Sequence, residues 1–217
     1  MSKPRNFLHT YLPGILIALL LSVTVFVGTA SADIYPSATS LEAHKKLGAD
    51  YRILQTVTPS QSIVISIHGG NIERGTNQIA QAVASQGGFD YYGFIGLRGS
   101  GLHVTSTNFN DSCALRMVRA SNKTLSIHGC TGSNRVTYLG GLDKAFVAEV
   151  KKQLVNAGFI VKNPPSGLGG SGTANICNRN SKGKGAQLEL TSGLRNHLMN
   201  NKTDFDRYVN ALVKAES

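Results

Sequence analysis

The sequence predicts a single α/β domain over residues 33–217, built on a mostly parallel or mixed twisted sheet with helices on both faces. Short β-branched runs alternate with helix-like segments, which is typical of a sheet covered by crossover helices. The 185 residues that follow a hydrophobic leader suit one sizeable core. Hydrophobic residues make up 41% of the chain, charged residues make up 16% and glycine contributes 24 residues, which excludes a disordered chain or a coiled coil.

The N-terminus predicts a secretory signal peptide over residues 1–32. Lys3 and Arg5 precede an apolar stretch from Ile15 to Val27, and the small-residue site Ala30-Ser31-Ala32 follows it. This is the order of the charged, apolar and cleavage regions of a signal peptide, and an uncleaved membrane anchor is the alternative. We therefore expect a secreted domain, extracellular or periplasmic, that contacts the membrane only through an uncleaved leader.

The charge balance indicates an anionic partner. Lysine and arginine number 22, and aspartate and glutamate number 12. Lys3 and Arg5 lie in the leader, whereas every acid lies at or after Asp33, so the domain carries a net charge of +8. Such a surface favours polyanionic partners. Nucleic acid is not expected, because the basic residues are dispersed, are not interleaved with aromatic residues and form no known binding motif.

The first half of the domain is predicted to begin with a polar segment, residues 33–60, that holds a short amphipathic stretch around Leu41 to Leu47. The β-branched run from Ser62 to Ile67 then predicts a buried strand. Thr76 is the expected N-cap of a helix over Asn77 to Gln86. Two further short strands are predicted at Tyr91 to Ile95 and at Leu102 to Ser106.

The second half continues the alternation. Helices are predicted from Asp111 or Ser112 to Ala120, from Leu142 to Ala157 and from Asp204 to Lys214. Strands are predicted at Thr124 to Ile127, Arg135 to Leu139 and Ala186 to Leu190, with a short extended segment at Phe159 to Val161. The segment from Asn163 to Gly172 carries two prolines and four glycines, so it is predicted to be a long mobile loop and the best candidate for a lid.

One pattern occurs twice at the ends of predicted strands. Ser66-Ile67-His68-Gly69-Gly70 and Ser126-Ile127-His128-Gly129-Cys130 each place a histidine at the end of an apolar run, directly before glycine. Ligand sites form at the carboxyl ends of strands in open α/β sheets, so the two imidazoles are candidate metal ligands. Glu73, on a glycine-flanked loop, is close enough in sequence to bind the same ion. Either histidine taken alone is more often a buried core residue with a hydrogen-bond partner.

This set of residue types matches the requirements of a catalytic zinc site. Two nitrogens and one carboxylate oxygen leave the fourth position of Zn²⁺ open for water, whose pKa the ion lowers toward about 7. A second carboxylate must then take the proton of the water and pass it to the leaving nitrogen. Glu189, in the predicted strand Ala186 to Leu190, is the candidate. His103 is a candidate to hydrogen-bond a ligating group, with a plain core position as its alternative.

These motifs resemble the poly-γ-glutamate hydrolase family. The main resemblance lies in His68-Gly69-Gly70-Asn71-Ile72-Glu73-Arg74-Gly75-Thr76, in Ser126-Ile127-His128-Gly129 and in Gln187-Leu188-Glu189-Leu190. Further matches are Leu102-His103-Val104-Thr105-Ser106, Gly140-Gly141-Leu142-Asp143 and Asn175-Ile176-Cys177-Asn178-Arg179, so nearly the whole domain is covered. Members of that family are zinc-dependent enzymes of bacteria and bacteriophages, related in fold to the zinc carboxypeptidases.

The resemblance implies an activity and a set of roles. His68, Glu73 and His128 correspond to the zinc ligands, and Glu189 corresponds to the general base and acid. The implied reaction cuts the γ-amide bonds of poly-γ-glutamate, a polymer in which every residue bears a free α-carboxylate. The net positive charge of the domain therefore has an expected partner, an anionic polymer or a γ-glutamyl wall peptide.

Two arginines are candidates to bind those carboxylates. Arg179 and Arg195 flank Glu189 in sequence, and arginine can bind a carboxylate through two parallel hydrogen bonds. Ordinary surface ion pairs are the alternative for both residues. In zinc carboxypeptidases, arginines between the glutamate and the second histidine hold the chain end, and here that interval offers residues that do not align, namely Arg74, Arg98, Arg116 and Arg119. The departure favours cleavage within a polymer.

Two other functions compete with this one. A zinc amidase of peptidoglycan also pairs two such histidines with a late catalytic glutamate, but its glutamate ligand usually lies on the helix after the first histidine. The predicted helix Asn77 to Gln86 contains no acidic residue. The other competitor is a secreted polyanion-binding module that has lost the reaction, and the joint presence of all four candidate residues speaks against it.

Overall fold

The computed structural model describes Met1 and residues 33–216, so the predicted signal peptide lies outside the described residues. The strands are β1 Tyr51–Thr56, β2 Ser62–Gly70, β3 Asp90–Gly96, β4 Lys123–Cys130, β5 Val136–Gly141, β6 Ile160–Lys162 and β7 Ala186–Thr191. The helices are α1 Ala38–His44, α2 Thr76–Gly87, α3 Ser112–Ala120, α4 Lys144–Asn156, α5 Ser192–Asn200 and α6 Lys202–Glu216, with a 3₁₀ helix at Ile176–Asn178. Within the described part of the chain, no helix is long and apolar enough to cross a membrane.

The seven strands form one mixed sheet in the order β1-β3-β2-β4-β7-β5-β6. Its four central strands, β3, β2, β4 and β7, are parallel to one another. The outer strands β1 and β5 run antiparallel to β3 and β7, and β6 is parallel to β5. The carboxyl ends of the central strands therefore meet at one edge of the sheet, where ligand sites form in open α/β folds.

Helices cover both faces of the sheet, so the predicted α/β fold class is confirmed. On one face, Val64, Leu125 and Leu188 pack with residues of α2, α4, α5 and α6. On the other face, Ile65 and Phe94 pack with residues of α1 and α3. Because successive side chains of a strand point to opposite faces, a central strand buried on both sides is an almost continuous apolar run. This is why the run at β2 was recognisable from sequence.

The predicted strand Leu102 to Ser106 is wrong. This segment has no regular structure, and no strand of the described residues pairs with it. Its alternating pattern arises because Leu102 and Val104 are buried in the core on the α1 and α3 face. Its backbone groups find other partners, since the Thr105 amide donates to the Asp33 carboxylate and the Ser106 carbonyl accepts from Ile176.

The region predicted as a polar start contains two regular elements, α1 and β1. The strand β1 lies at an edge of the sheet and pairs only with β3, so it tolerates polar residues that break the hydrophobic pattern. Residue Gly75, not Thr76, is the N-cap of α2, with a φ of 95° that favours glycine. The Thr76 hydroxyl instead donates to the backbone carbonyls of His68 and Glu73.

The loop Asn163 to Gly172 is anchored in its second half, which differs from the predicted mobile lid. The amide of Gly141 donates to the carbonyl of Gly169, and the side chain of Asn178 donates to the carbonyls of Gly170 and Gly172. These bonds tie the loop to β5 and to the 3₁₀ helix. Glycine carbonyls held in this way stiffen a segment whose composition alone indicates mobility.

A buried pair of acids between α1 and α3 predicts a pH-dependent stability. Burial raises the pKa of Glu42 to about 7, and the hydrogen bond and negative charge of Asp111 act in the same direction. The folded state thus holds a proton that the unfolded chain releases, so the pair lowers stability as pH rises from about 4.5 toward 7. We expect Glu42→Gln to be progressively more stable than the wild type across this range, as measured by urea unfolding at several pH values. Asp206→Asn on α6, where 49% of the side-chain surface is exposed, is the control, and parallel pH profiles of Glu42→Gln and the wild type would contradict the prediction.

Candidate metal centre

Three neighbouring parallel strands deliver the predicted site residues to one edge of the sheet. His68 lies near the end of β2, His128 near the end of β4 and Glu189 near the end of β7. His128 and Glu189 are direct partners in the register of β4 and β7. Neighbouring strands are about 4.8 Å apart and paired residues point to the same face, so these two side chains lie side by side. Strand order thus brings together the strand ends that carry three of the four residues.

A bulge in β2 sets the direction of His68. Regular alternation would place His68 on the face of Ser66, away from His128. Between Ser66 and Gly69 the register with β3 shifts, so two residues of β2 lie opposite one residue of β3. A bulge of this kind redirects a side chain. The ring centroids of His68 and His128 lie 4.8 Å apart.

Glu73 reaches the histidines through a tight turn after β2. The Glu73 amide donates to the carbonyl of His68 at 2.9 Å, and the Thr76 hydroxyl donates to the carbonyl of Glu73 at 2.9 Å. The Glu73 carboxylate is also held from the other strand, because the Gly129 amide donates to Oε2 at 2.7 Å. The carboxylate is therefore fixed between the ends of β2 and β4.

Three candidate ligand side chains converge at this point. His68 Nδ1 lies 2.9 Å from Glu73 Oε1 and 3.1 Å from His128 Nδ1, and His128 Nδ1 lies 3.7 Å from Glu73 Oε2. Ligands bound at 2.0–2.1 Å in a tetrahedral zinc site lie about 3.3 Å apart. The three observed separations bracket that value, so these residues fit a zinc ion with little movement.

The hydrogen bonds on the far side of each imidazole fix the protons. The Val104 carbonyl lies 2.9 Å from His68 Nε2 and can only accept, so Nε2 carries the proton and Nδ1 presents its lone pair. The Ser106 hydroxyl lies 3.3 Å from His128 Nε2 and can occupy that nitrogen in the same way. Two nitrogen lone pairs and one carboxylate then face one another, and this arrangement requires a proton or a cation between them.

The electrostatics of the cluster agree with this requirement. Burial lowers the pKa of His68, but the Glu73 carboxylate outweighs burial and the net shift is upward. Burial raises the pKa of Glu73, but the positive charge on His68 outweighs it and the net shift is strongly downward. Glu189 behaves differently, because burial together with the negative charge of Glu73 raises its pKa to about 7. One carboxylate thus stays ionised among the ligands, while the neighbouring carboxylate can exchange a proton near neutral pH.

A third histidine lies against the cluster. The ring centroid of His103 is 4.1 Å from that of His68, and Nδ1 of His103 lies 2.8 Å from Asp33 Oδ1. His68, Glu73 and His103 also offer ligand atoms within 4.8 Å of one another. The triad with His128 fits zinc better, because its separations are near the tetrahedral value. His103 thus contacts a candidate ligand through its ring and pairs with Asp33 through Nδ1, and the predicted hydrogen bond to a ligating group stays a prediction.

Comparison with known proteins gives the chain its family. A model of the poly-γ-glutamate hydrolase family matches residues 35–212. The chain belongs to the poly-γ-glutamate hydrolase family. The structure of a bacteriophage poly-γ-glutamate hydrolase is 30% identical to this chain, with a TM-score of 0.81 over 85% of this chain and 97% of that one. A zinc-free apo structure of YndL is 26% identical, with a TM-score of 0.78 over 85% of this chain and 97% of that one.

Proteins of Bacillus subtilis (strain 168) are also similar to this family member. The SPbeta prophage-derived UPF0714 protein YoqZ is 34% identical over 178 residues, which are 80% of this chain and 64% of YoqZ. The chain thus spans slightly less than two thirds of that relative. The UPF0714 protein YndL is 30% identical over 191 residues, which are 84% of this chain and 75% of YndL. The family model and the similarity to the bacteriophage enzyme together support a hydrolase.

Arg195 is predicted to bind substrate. In the structure its guanidinium donates hydrogen bonds to three backbone carbonyls of the domain. Nε donates to the carbonyl of Leu190 at 3.0 Å, Nη1 donates to that of Arg74 at 2.6 Å and Nη2 donates to that of Cys130 at 3.1 Å. Each acceptor lies one or two residues from a site residue, namely Glu189, Glu73 and His128. Arg195 therefore has a positioning role, since it ties the backbones of the three site-bearing segments together, and its role in binding substrate stays a prediction.

Arg179 is half-buried at the end of the 3₁₀ helix. Its neighbour Asn180 donates to the side chain of Thr124, near the beginning of β4 and four residues before His128. The backbone of Arg179 therefore lies toward the far end of β4 from the candidate metal centre. Among the residues that the structure describes, no hydrogen bond or ion pair joins its side chain to the cluster. Its role in binding substrate stays a prediction.

Sequence reasoning missed the groups that hold the site residues in place. They are the Val104 carbonyl, the Ser106 hydroxyl, the Gly129 amide, Asp33 and Gln187, whose Nε2 donates to Glu189 Oε1 at 2.9 Å. Two of these are backbone groups, which no residue pattern reveals. Gln187 had a usable signal, because it lies two residues before Glu189 in the same strand and hence on the same face.

Replacing Arg195 is expected to loosen the candidate metal centre. Arg195→Ala removes three charge-assisted hydrogen bonds and should lower the free energy of unfolding by about 2–4 kcal/mol. It should also speed hydrogen exchange at the Gly129 amide, because that amide donates to the carboxylate of the released Glu73 turn. Arg195→Lys keeps the charge but not the fork of donors, so an intermediate loss is expected. Arg179→Ala is the matched control, and equal effects of the two alanine variants would refute the assignment.

Proposed function

We propose that the domain hydrolyses the γ-glutamyl amide bonds of poly-γ-glutamate, with zinc bound by His68, Glu73 and His128 and with Glu189 as general base and acid. The observation that carries this proposal is the convergence of three ligand atoms at 2.9–3.7 Å beside a buried carboxylate. Membership of the family supports the reaction, and the zinc-free form of the similar protein YndL supports the metal.

Each residue of the cluster has one task in this mechanism. When bound, zinc supplies a polarised water as nucleophile and withdraws electrons from the scissile carbonyl. Glu189 would take the proton of the attacking water and deliver it to the leaving amine nitrogen, and its place beside His128 in the sheet register suits both transfers. His68 and His128 keep their Nδ1 lone pairs directed at the ion, because Val104 and Ser106 occupy their other nitrogens.

A chain of amides orients the proposed base. The Asn175 side chain donates to Gln187 Oε1 at 2.8 Å, so the NH₂ group of Gln187 is turned toward the site. That group donates to Glu189 Oε1 at 2.9 Å. One carboxylate oxygen of Glu189 is thus held by a neutral donor, which leaves Oε2 for the water and its proton. The geometry therefore separates the oxygen that anchors the carboxylate from the oxygen that reacts.

The substrate class fits the charge of the domain. Poly-γ-glutamate carries one free α-carboxylate per residue, and the domain after residue 32 carries a net charge of +8. Attraction of this kind raises the local concentration of an anionic polymer. Secretion through the predicted leader belongs to the same proposal, because it would deliver the domain to polymer outside the cell. The competing amidase arrangement is not favoured, since α2 contains no acidic residue to serve as a ligand.

The first expected outcome concerns metal dependence. The purified domain should rapidly shorten poly-γ-glutamate, as measured by the chain-length distribution, and a metal chelator should stop the reaction. Zinc should restore it. His68→Ala and His128→Ala should each lose most of the bound zinc, measured by elemental analysis, because two remaining ligands hold the ion poorly.

The exposed His44, at the end of α1, provides the matched control. His44→Ala should keep both the zinc and the activity. Full zinc occupancy in His68→Ala or His128→Ala would remove that residue from the ligand set. Polymer that stays intact with and without chelator would overturn the substrate, and γ-glutamyl wall peptides would then be the class to assay.

The second expected outcome separates the base from the ligands. Glu189→Gln keeps the shape of the side chain but cannot take a proton, so kcat should fall by about 10²- to 10⁴-fold while zinc content is unchanged. The matched control is Glu149→Gln, which changes an exposed glutamate on α4 and should have wild-type kcat. Turnover of Glu189→Gln at the wild-type rate would exclude Glu189 from the proton transfers.

A further inference from the structure

The irregular segment 102–106 touches both histidines of the candidate metal centre. The Val104 carbonyl accepts from His68 Nε2, the His103 ring stacks on the ring of His68 and the Ser106 hydroxyl contacts His128 Nε2. The segment has no strand beside it, so no ladder of backbone hydrogen bonds fixes its position. Something else must hold it for the two imidazoles to keep their orientation.

Asp33 holds this segment with both of its carboxylate oxygens. Oδ1 lies 2.8 Å from His103 Nδ1, and Oδ2 accepts from the Thr105 amide at 2.8 Å. Both side chains of the Asp33 and His103 pair are largely buried, with 15% and 17% of their surface exposed. A carboxylate can only accept when ionised, so His103 carries its proton on Nδ1 and leaves Nε2 unprotonated.

The residues after Asp33 continue along the same part of the chain. The Ala38 amide donates to the carbonyl of Asn108, and the Thr39 amide donates to the side chain of Asn110 at 3.0 Å. The N-terminal segment 33–39 thus follows residues 101–110 over its length. Asp33 is the first contact of this series and the one that reaches the candidate metal centre.

We propose that Asp33 and His103 are a positioning pair, in which the Asp33 carboxylate holds the His103 imidazole and the imidazole fixes the ring plane of the zinc ligand His68. The inference rests on the proposed function, because it assumes that His68 binds zinc. Partners of this kind behind a ligand typically change metal affinity or activity by about 10- to 100-fold when they are removed. Asp33 acts through His103 and through the Thr105 amide, and it does not itself touch the reacting atoms.

Asp33 lies directly after the expected cleavage site of the leader, so the site of cleavage decides whether the pair is kept. The predicted leader ends at Ala32, so cleavage there would leave Asp33 as the first residue of the mature chain. Cleavage one residue later would remove the carboxylate and leave His103 without its acceptor. Asp33, the residue that directly follows the expected cleavage site, thus has a proposed role in the metal centre.

A double-mutant cycle on zinc affinity tests the pair. The dissociation constant for zinc is measured by competition with a chelator for the wild type, Asp33→Ala, His103→Ala and the double variant. We expect each single variant to bind zinc about 10- to 100-fold more weakly, and the double variant to be no weaker than the worse single variant. Asp33→Asn keeps an acceptor oxygen, so its loss should be smaller than that of Asp33→Ala.

Asp50→Ala is the matched control, since Asp50 also accepts from a backbone amide, that of Lys46, but contacts no histidine. It should leave zinc affinity unchanged. Histidine ¹⁵N NMR of the zinc-free proteins gives a second readout, because Asp33→Ala should shift the tautomer signals of His103 and leave those of His197 unchanged. Wild-type zinc affinity in Asp33→Ala, or additive losses in the double variant, would overturn the pair while leaving the proposed function intact. A wild-type protein that does not bind zinc would instead overturn the proposed function.

Discussion

The candidate metal centre depends on one constraint, which is that three lone-pair donors face one another at 2.9–3.7 Å and need a positive charge between them. A proton on the outer nitrogen of either imidazole lies on the far side of the ring, so it cannot supply this positive charge between the donors. The Val104 carbonyl and the Ser106 hydroxyl engage the outer nitrogens of the two imidazoles, and the Gly129 amide fixes the carboxylate. Donors held this rigidly are already arranged to bind a cation.

The strand order supplies the rest of the geometry. Since β2, β4 and β7 are neighbours and parallel, residues near their carboxyl ends meet without long loops. Glu189 lies one strand beyond His128, close enough to take up a proton at the site but not among the three ligand atoms. Arg195 then joins the three segments from outside, because its three acceptors belong to β4, to β7 and to the turn after β2. Positioning and chemistry are thus divided between different residues.

The sequence predicted the parts of this arrangement that depend on strand ends. His68, His128 and Glu189 were recognisable because an apolar run that stops at a polar residue marks the edge of a sheet. The orientation of the His68 side chain could not be predicted, because the β2 bulge that redirects it has no residue pattern of its own. The hydrophobic alternation at Leu102 to Ser106 predicted a strand, since the pattern reports burial of Leu102 and Val104 and not the presence of a neighbouring strand. The contact of Asp33 with His103 spans 70 residues and depends on tertiary structure.

The occupied guanidinium of Arg195 bears on how the polymer would be recognised. Three of its five N–H groups already bind carbonyls, which leaves one N–H on each Nη for any contact with a carboxylate. A single pocket of paired donors is suited to the end of a chain. Dispersed positive charge instead attracts every carboxylate of a polymer to a similar extent and does not distinguish its end from its middle. Within the proposed function, the net charge of +8 therefore fits the expected cleavage within the polymer better than trimming from its end.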